Sequence, residues 1–304
     1  MKRTYYTLSI LLLIGIFYSC EDAFTTVKEI KFPEHKKKLA VFSKLSDSTC
    51  KIFISHSKSI DDYSDYKKVT ANVILQKNGK EFLKFVYPDD LISGNIIIPT
   101  VSLPQSINTG DNYTLEVVSE EFGTAKASQT VPQLPVLKDI SYEEKYYIEQ
   151  YDTLNKLEFD IVDPANQENY YYFSIKPTYY KKLKYHFDLF IETEDPIVKE
   201  SYWESTNGLI VSDKTFDGNS KKISLKIHYN NYPNPDVEPT TLDTILLNIK
   251  GITKDYYNFL ISKTQFDNSN DNPFAEPVNI YNNIENGYGL FSAETNKTII
   301  IKSN

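Results

Sequence analysis

Apolar side chains recur at every second position along much of this chain, and that period is the strongest limit on what it can fold into. Tyr113, Leu115 and Val117 alternate with polar neighbours. So do Leu157, Phe159 and Ile161, then Leu183, Tyr185, Phe187, Leu189 and Ile191, then Ile223, Leu225, Ile227 and Tyr229. Successive side chains of a strand point to opposite faces of a sheet, so this alternation describes strands with one covered face. Shorter runs rich in apolar or β-branched residues add more strands: Leu39–Phe42, Cys50–His56, Ala71–Gln76, Phe82–Tyr87, Thr124–Val131, Ile245–Ile249 and Thr298–Ile301. Asn78-Gly79 sits between two of them, and both residues accept positive φ, which predicts a tight hairpin.

The order of these runs predicts a mostly β chain. Several strands joined by turns over residues 38–132 suggest an immunoglobulin-like β-sandwich. Val131-Pro132-Gln133-Leu134-Pro135 interrupts the pattern, because proline cannot donate to a strand ladder. Residues 133–304 then read as a second antiparallel β domain with one short helix. Thr253 is the expected N-cap, Tyr256, Phe259, Leu260 and Lys263 follow helical spacing, and Asp267-Asn268-Ser269-Asn270 is expected to end it.

The N-terminus lies outside this pattern. Lys2 and Arg3 precede an almost wholly apolar run from Leu8 to Phe17. That run is about half of the ~20 residues a helix needs to cross a bilayer, and a short apolar stretch behind a positive start is the mark of a secretory signal. Phe17-Tyr18-Ser19-Cys20 ends on the residue a lipoprotein requires. Residues 1–19 are expected to be removed, leaving Cys20 as a lipidated N-terminus. At ~0.8 kcal/mol per buried methylene, two or three acyl chains anchor a protein durably. Residues 20–37 are mixed and charged, with Pro33, and read as a tether.

Charge excludes some partners. The chain has 33 basic and 41 acidic side chains; without Lys2 and Arg3 there are 31 against 41, a net of −10. Nucleic acids are held by lysines and arginines matched to phosphates, so an acidic chain is a poor partner for them. Arg3 is the only arginine, which leaves the mature protein no guanidinium fork for carboxylate or phosphate. Once Cys20 is lipidated, Cys50 stands alone and no internal disulfide is available. Cys50 alternates with Ile52 and Ile54, so it reads as a small buried hydrophobe.

One ordered set of segments carries a resemblance. It runs from the cysteine with Glu21-Asp22 through Gly110-Asp111-Asn112-Tyr113-Thr114-Leu115 to Asp163-Pro164-Ala165-Asn166-Gln167-Glu168-Asn169-Tyr170-Tyr171. It continues with Phe216-Asp217-Gly218, Asp255-Tyr256-Tyr257, Asn272-Pro273-Phe274, and Asn283-Ile284-Glu285-Asn286-Gly287-Tyr288-Gly289-Leu290-Phe291. In these the chain resembles lipoproteins of Bacteroidota classed as domain of unknown function 4249. The resemblance implies an outer-membrane lipoprotein, often encoded beside a TonB-dependent receptor. Glu21-Asp22 resembles a short form of the signal that sends such proteins to the cell surface. The family brings no established activity.

Direct search for chemistry finds little. His35, His56, His186 and His228 form no metal-ligand pair, and His186 and His228 fall on strand faces opposite the apolar set, where they are expected to be solvated. There is no nucleophile elbow, phosphate loop or dinucleotide fingerprint. Asp160 and Asp163 are a candidate carboxylate pair, but Asp163-Pro164 more naturally opens a turn in which the side chain bonds backbone amides. Asp267, Ser269 and Asp271 have calcium-loop spacing, yet Asn272 and Val278 replace the required glycine and glutamate. No catalytic set, metal site or cofactor is expected. The chain carries 24 Tyr and 17 Phe with one Trp. Of these, Tyr179, Tyr180 and Trp203 fall in or near loops and are the ligand-binding candidates. In Tyr170-Tyr171-Tyr172-Phe173 alternation should bury every second ring and leave the others as an exposed ladder. The expected role is that of a lipid-anchored binding or accessory protein, not an enzyme, working with a TonB-dependent receptor. A structural or adhesive role and, less favoured, a surface glycan hydrolase are the alternatives.

Overall fold

The computed structural model describes residues 34–64, 68–87, 99–149, 152–179, 190–204, 208–230, 242–270 and 274–302. Lys37–Ser57 and the chain from Ser64 onward make one compact unit that holds every described strand and helix; Lys58–Tyr63 belong to another. Among the described residues no helix is long and apolar enough to cross a membrane. The signal, Cys20 and Leu183–Leu189 lie outside the described residues.

The first half supplies β1 (Leu39–Ser46), β2 (Thr49–His56), β3 (Ala71–Lys77), β4 (Lys80–Tyr87), β5 (Thr100–Ser102), β6 (Asn112–Ser119) and β7 (Gly123–Thr130). Asn78 and Gly79 have φ of 50° and 77° and join β3 to β4, as the hairpin expectation requires. The second half supplies β8 (Val136–Glu149), β9 (Asp152–Val162), β10 (Tyr170–Tyr179), β11 (Phe190–Glu192), β12 (Lys199–Ser201), β13 (Gly208–Ser212), β14 (Ser220–Asn230) and β15 (Leu242–Ile252). Helix α1 (Lys254–Asn270) and β16 (Tyr288–Lys302) complete the chain.

The described strands form three sheets. Two have four strands each, in the orders β4-β3-β6-β7 and β11-β14-β9-β8, and the third has eight, β12-β13-β10-β15-β16-β1-β2-β5. One core is built from β1, β2, β3, β6 and β7, with Leu45, Ile52, Val73, Tyr113 and Leu115 all but sealed from solvent. The other lies between β9 and β14 on one side and β10, β13 and β15 on the other, with Phe159, Phe173, Leu225 and Leu247 at its centre. Burying each of these side chains stabilises the fold by about 1.5–3 kcal/mol. The chain is therefore mostly antiparallel β with sandwich-like packing and one helix.

The sheets are not divided where the prolines stand. Residues 38–132 do not close on themselves, because β16 lies parallel to β1 and adds Phe291 and Ala293 to the first core while Ile301 joins the second. That parallel contact needs a glycine. Gly289 has φ of +115°, and a Cβ there would lie 2.1 Å from the Val41 carbonyl oxygen.

One expectation is corrected by what covers the large sheet. Tyr170, Tyr171, Tyr172 and Phe173 are all buried, not alternately exposed. Tyr171 and Phe173 face the second core, whereas Tyr170 and Tyr172 pack with Ile210, Tyr256, Phe259 and Leu260 beneath α1. The helix ends within Asp267-Asn268-Ser269-Asn270 as expected, with Asn270 its last residue. Lys263 pairs with Asp267 one turn on at 2.5 Å, and the Ser269 hydroxyl donates to the Phe266 carbonyl at 2.9 Å. Thr253 does precede the helix, and its carbonyl accepts from Tyr257 N–H at 3.0 Å, but its hydroxyl has no partner among the described residues. His228 is not simply solvated: its Nε2 lies 3.0 Å from Glu192 on the neighbouring strand.

Candidate ligand-binding groove

Helix α1 covers only part of its face of the eight-stranded sheet. Beside it lies a groove of about 480 Å³ whose lining includes Phe42, Lys44, Trp203, Lys250, Tyr256 and Glu294. An adjoining cleft of about 230 Å³ shares Lys176, Glu204, Lys250 and Glu294 with it and continues to Asn248, Asn296 and Thr298. Strand register sets this lining. Phe42 stands opposite Leu290 across the parallel pair, and Lys250 stands opposite Tyr172 on one side and Asn296 on the other, all projecting to the helix-bearing face.

At the centre is a network of four charges. Lys44 and Lys250 both pair with Glu204, and both also reach Glu294, at 3.2 and 3.1 Å. The Tyr256 hydroxyl donates to Glu204 as well. Each ammonium also sits over a ring, Lys44 at 5.5 Å from the Tyr256 centroid and Lys250 at 5.2 Å from that of Tyr172. Burial opposes ionisation of Glu204, but the charges of Lys44 and Lys250 and their hydrogen bonds outweigh it and hold the carboxyl down at about 2. Burial also works against the charge on Lys250, and Glu294 and Glu204 more than restore it. The hydroxyl of Tyr256 is pushed well above its ordinary range, first by burial and then by Glu204.

Trp203 forms the rim. It is 50% exposed, its ring meets Phe259 edge-on at 5.3 Å, and Lys263 lies 5.4 Å from its centroid. An indole held this way presents a fixed flat surface. Of the ligand candidates drawn from the sequence, the groove contains Trp203. Tyr179 is the last residue of β10, and Tyr180 lies outside the described residues. Lys44, Glu204, Lys250 and Glu294 escaped sequence reasoning. They are drawn from β1, the segment after β12, β15 and β16, and no local spacing links them.

A second polar cluster stands elsewhere. Asp163, Asp213 and Asp217 each bring an oxygen within 4.8 Å of the others. Oxygens of this kind suit a hard cation, but hydrogen bonds already account for the arrangement. Asp163 accepts from the Tyr171 hydroxyl and from Gly218 N–H at 3.0 Å, so it bonds across the fold and not within its own turn. Asp213 accepts from Asn169 N–H at 2.6 Å and Asp217 from Asn166 N–H at 2.9 Å. Burial, reinforced by Asp163 and Asp217, raises the Asp213 carboxyl. Asp160 is not one of the three.

Cys50 is buried, and its thiol is pushed up to about 11 by that burial, with a small opposing contribution from Ser43. It is the packing residue the alternation implied.

A family model described as Domain of unknown function (DUF4249) matches residues 25–300. The chain belongs to this family. No match is found among curated proteins. The DUF4249 match spans both cores, the groove and the carboxylate cluster. The segments that carried the resemblance meet in the fold. Asp163–Tyr171 and Phe216–Gly218 supply Asp163 and Asp217 of the aspartate cluster, while Asp255-Tyr256-Tyr257 begins the helix that walls the groove. Asn283 is bonded both ways to the Phe291 backbone, at 2.8 and 2.9 Å, and donates to Asp255 at 2.9 Å.

Proposed function

We propose that this chain is a lipid-anchored outer-membrane binding protein, tethered through Cys20 and facing the cell surface, that captures a ligand in the groove beside α1 and works with a TonB-dependent receptor. The observation that carries the binding role is the half-exposed Trp203 set over a prearranged Lys44–Glu204–Lys250–Glu294 network. An aromatic surface beside a few convergent polar groups is the composition of a ligand pocket. The tether and the receptor rest on the N-terminal pattern and on the family resemblance.

The same network disfavours Glu204 as the acid of a glycan hydrolase. Glu204 and Glu294 lie in an aromatic-lined groove, which is where a pair of glycosidase carboxyls belongs. Such an enzyme needs one of them protonated near neutral pH, with its pKa raised. Glu204 is held at about 2 by two lysines, so it is not tuned to be that acid.

The test is purification of the native protein in mild detergent from cells carrying the chain or its Cys20→Ala form. Expected are membrane retention and co-elution of a TonB-dependent receptor with the first, and loss of both with the second. Equal membrane retention of Cys20→Ala would remove the tether. A protein that elutes without a receptor, in a strain whose deletion leaves ligand uptake intact, would remove the partnership.

A further inference from the structure

We infer that the groove takes an acidic oligosaccharide, one whose sugar rings carry carboxylates. The inference rests on the groove being the ligand site and adds the class of molecule.

Charge is the first ground. The groove is lined by four lysines, Lys44, Lys51, Lys176 and Lys250, against two carboxylates, Glu204 and Glu294. Lys44 and Lys250 are engaged by the two glutamates. Lys51 and Lys176 are exposed, and among the described residues no carboxylate pairs with either. This cationic strip lies on a chain with a net charge of −8. A local field of the opposite sign to the whole molecule is a feature of that face, and it draws anions to it.

Shape and polarity are the second ground. One end of the trough is aromatic, with the Trp203 ring backed by Phe259. The other is polar, where Thr298 donates to Asn248 at 2.8 Å and Ser174 and Asn296 complete the lining. Lys176 and Lys250 line both cavities. A fatty or purely aromatic acid would leave the polar end unmatched, and a neutral sugar would make no use of Lys51 and Lys176. A chain of uronate rings meets all three: ring faces on the indole, hydroxyls on the amides and hydroxyls, carboxylates on the free ammonium groups. Lysine, as a movable point charge, suits carboxylates spaced along a chain.

Trp203 is the only tryptophan, so its emission reports on this one rim. The detergent-extracted protein is titrated with oligogalacturonate and with the same oligomer fully methyl-esterified, reading fluorescence and heat. Expected is a saturable change in Trp203 emission with the acidic oligomer and about tenfold or greater weakening with the ester. A Lys51→Ala/Lys176→Ala variant, altered only at exposed positions, should weaken acidic binding by about tenfold. Equal affinity for acid and ester would overturn the charge inference and leave the groove as the ligand site. Heat of binding with unchanged emission and an unaffected double variant would place the ligand elsewhere and sink the groove itself. No signal with either oligomer would overturn the sugar class.

Discussion

Glu204 and Lys250 form an ion pair that ties the segment after β12 to the middle of the eight-stranded sheet, across 46 positions of sequence. Lys44 makes the same contact from β1, so one carboxylate is shared by both halves of the chain. A pair of this kind is costly to break, because removing one member leaves the other charge buried without its partner.

Glu204 should therefore give stability a definite acid edge. Its carboxyl sits at about 2 in the fold and at 4.5 ordinarily. A lowered value means that its contribution is complete above about pH 4.5 and lost as pH falls toward 2. Urea unfolding of the wild type and Glu204→Gln should differ by about 3 kcal/mol at pH 7, the gap closing between pH 4.5 and 2. A gap of constant size over that range would mean the pair does not stabilise as described.

Gly289→Ala should be among the most damaging small substitutions in the chain. Its φ of +115° is strained for any side chain, and the new methyl would meet the Val41 carbonyl. We expect a loss on the order of 3 kcal/mol, with faster amide exchange in both β1 and β16. A variant as stable as the wild type would show that the parallel pairing does not need this close approach.

Asp255 should behave as a hub. It accepts from Gln129, from the Tyr281 hydroxyl at 2.5 Å and from Asn283 at 2.9 Å, linking the start of α1 to β7 and to the segment before β16. Burial and this bond together push the Tyr281 hydroxyl up to about 12. A double-mutant cycle of Asp255→Ala with Tyr281→Phe should give a coupling of about 1–2 kcal/mol in thermal or urea unfolding. Strict additivity would mean the contact is geometric only.

Cys50 should be silent until the fold opens. With its thiol near 11 and its side chain buried, little thiolate forms at neutral pH and no reagent reaches it. Ellman's reagent is expected to label the native protein only at the rate of unfolding, and fully in denaturant. Rapid native labelling would count against the packing of β2.

Much of the architecture could be read from the sequence because strand alternation and turn chemistry are local. Ala71–Gln76, Asn78-Gly79 and Phe82–Tyr87 declared a hairpin through residues that touch one another, and Thr253 with Tyr256, Phe259 and Leu260 declared a helix in the same way. The run Tyr170–Phe173 shows where this fails. Its alternation is that of a half-covered strand, yet all four rings are buried, because α1 returns from about 85 residues downstream to cover the second face. The groove is of the same kind. Trp203 could be singled out by its rarity, whereas Lys44, Glu204, Lys250 and Glu294 are ordinary surface-type residues until four distant segments bring them together.

The amino-acid order by itself thus determined the β class, the hairpin, the helix, the packing role of Cys50 and the family, since periodicity and short motifs depend on near neighbours. Tertiary structure alone decided that β16 joins β1 and that a lysine–glutamate network forms on the helix-bearing face. Those outcomes depend on which sheet face is left uncovered and on which strands become adjacent, and a pairing between residues 160 or more positions apart leaves no trace in local sequence.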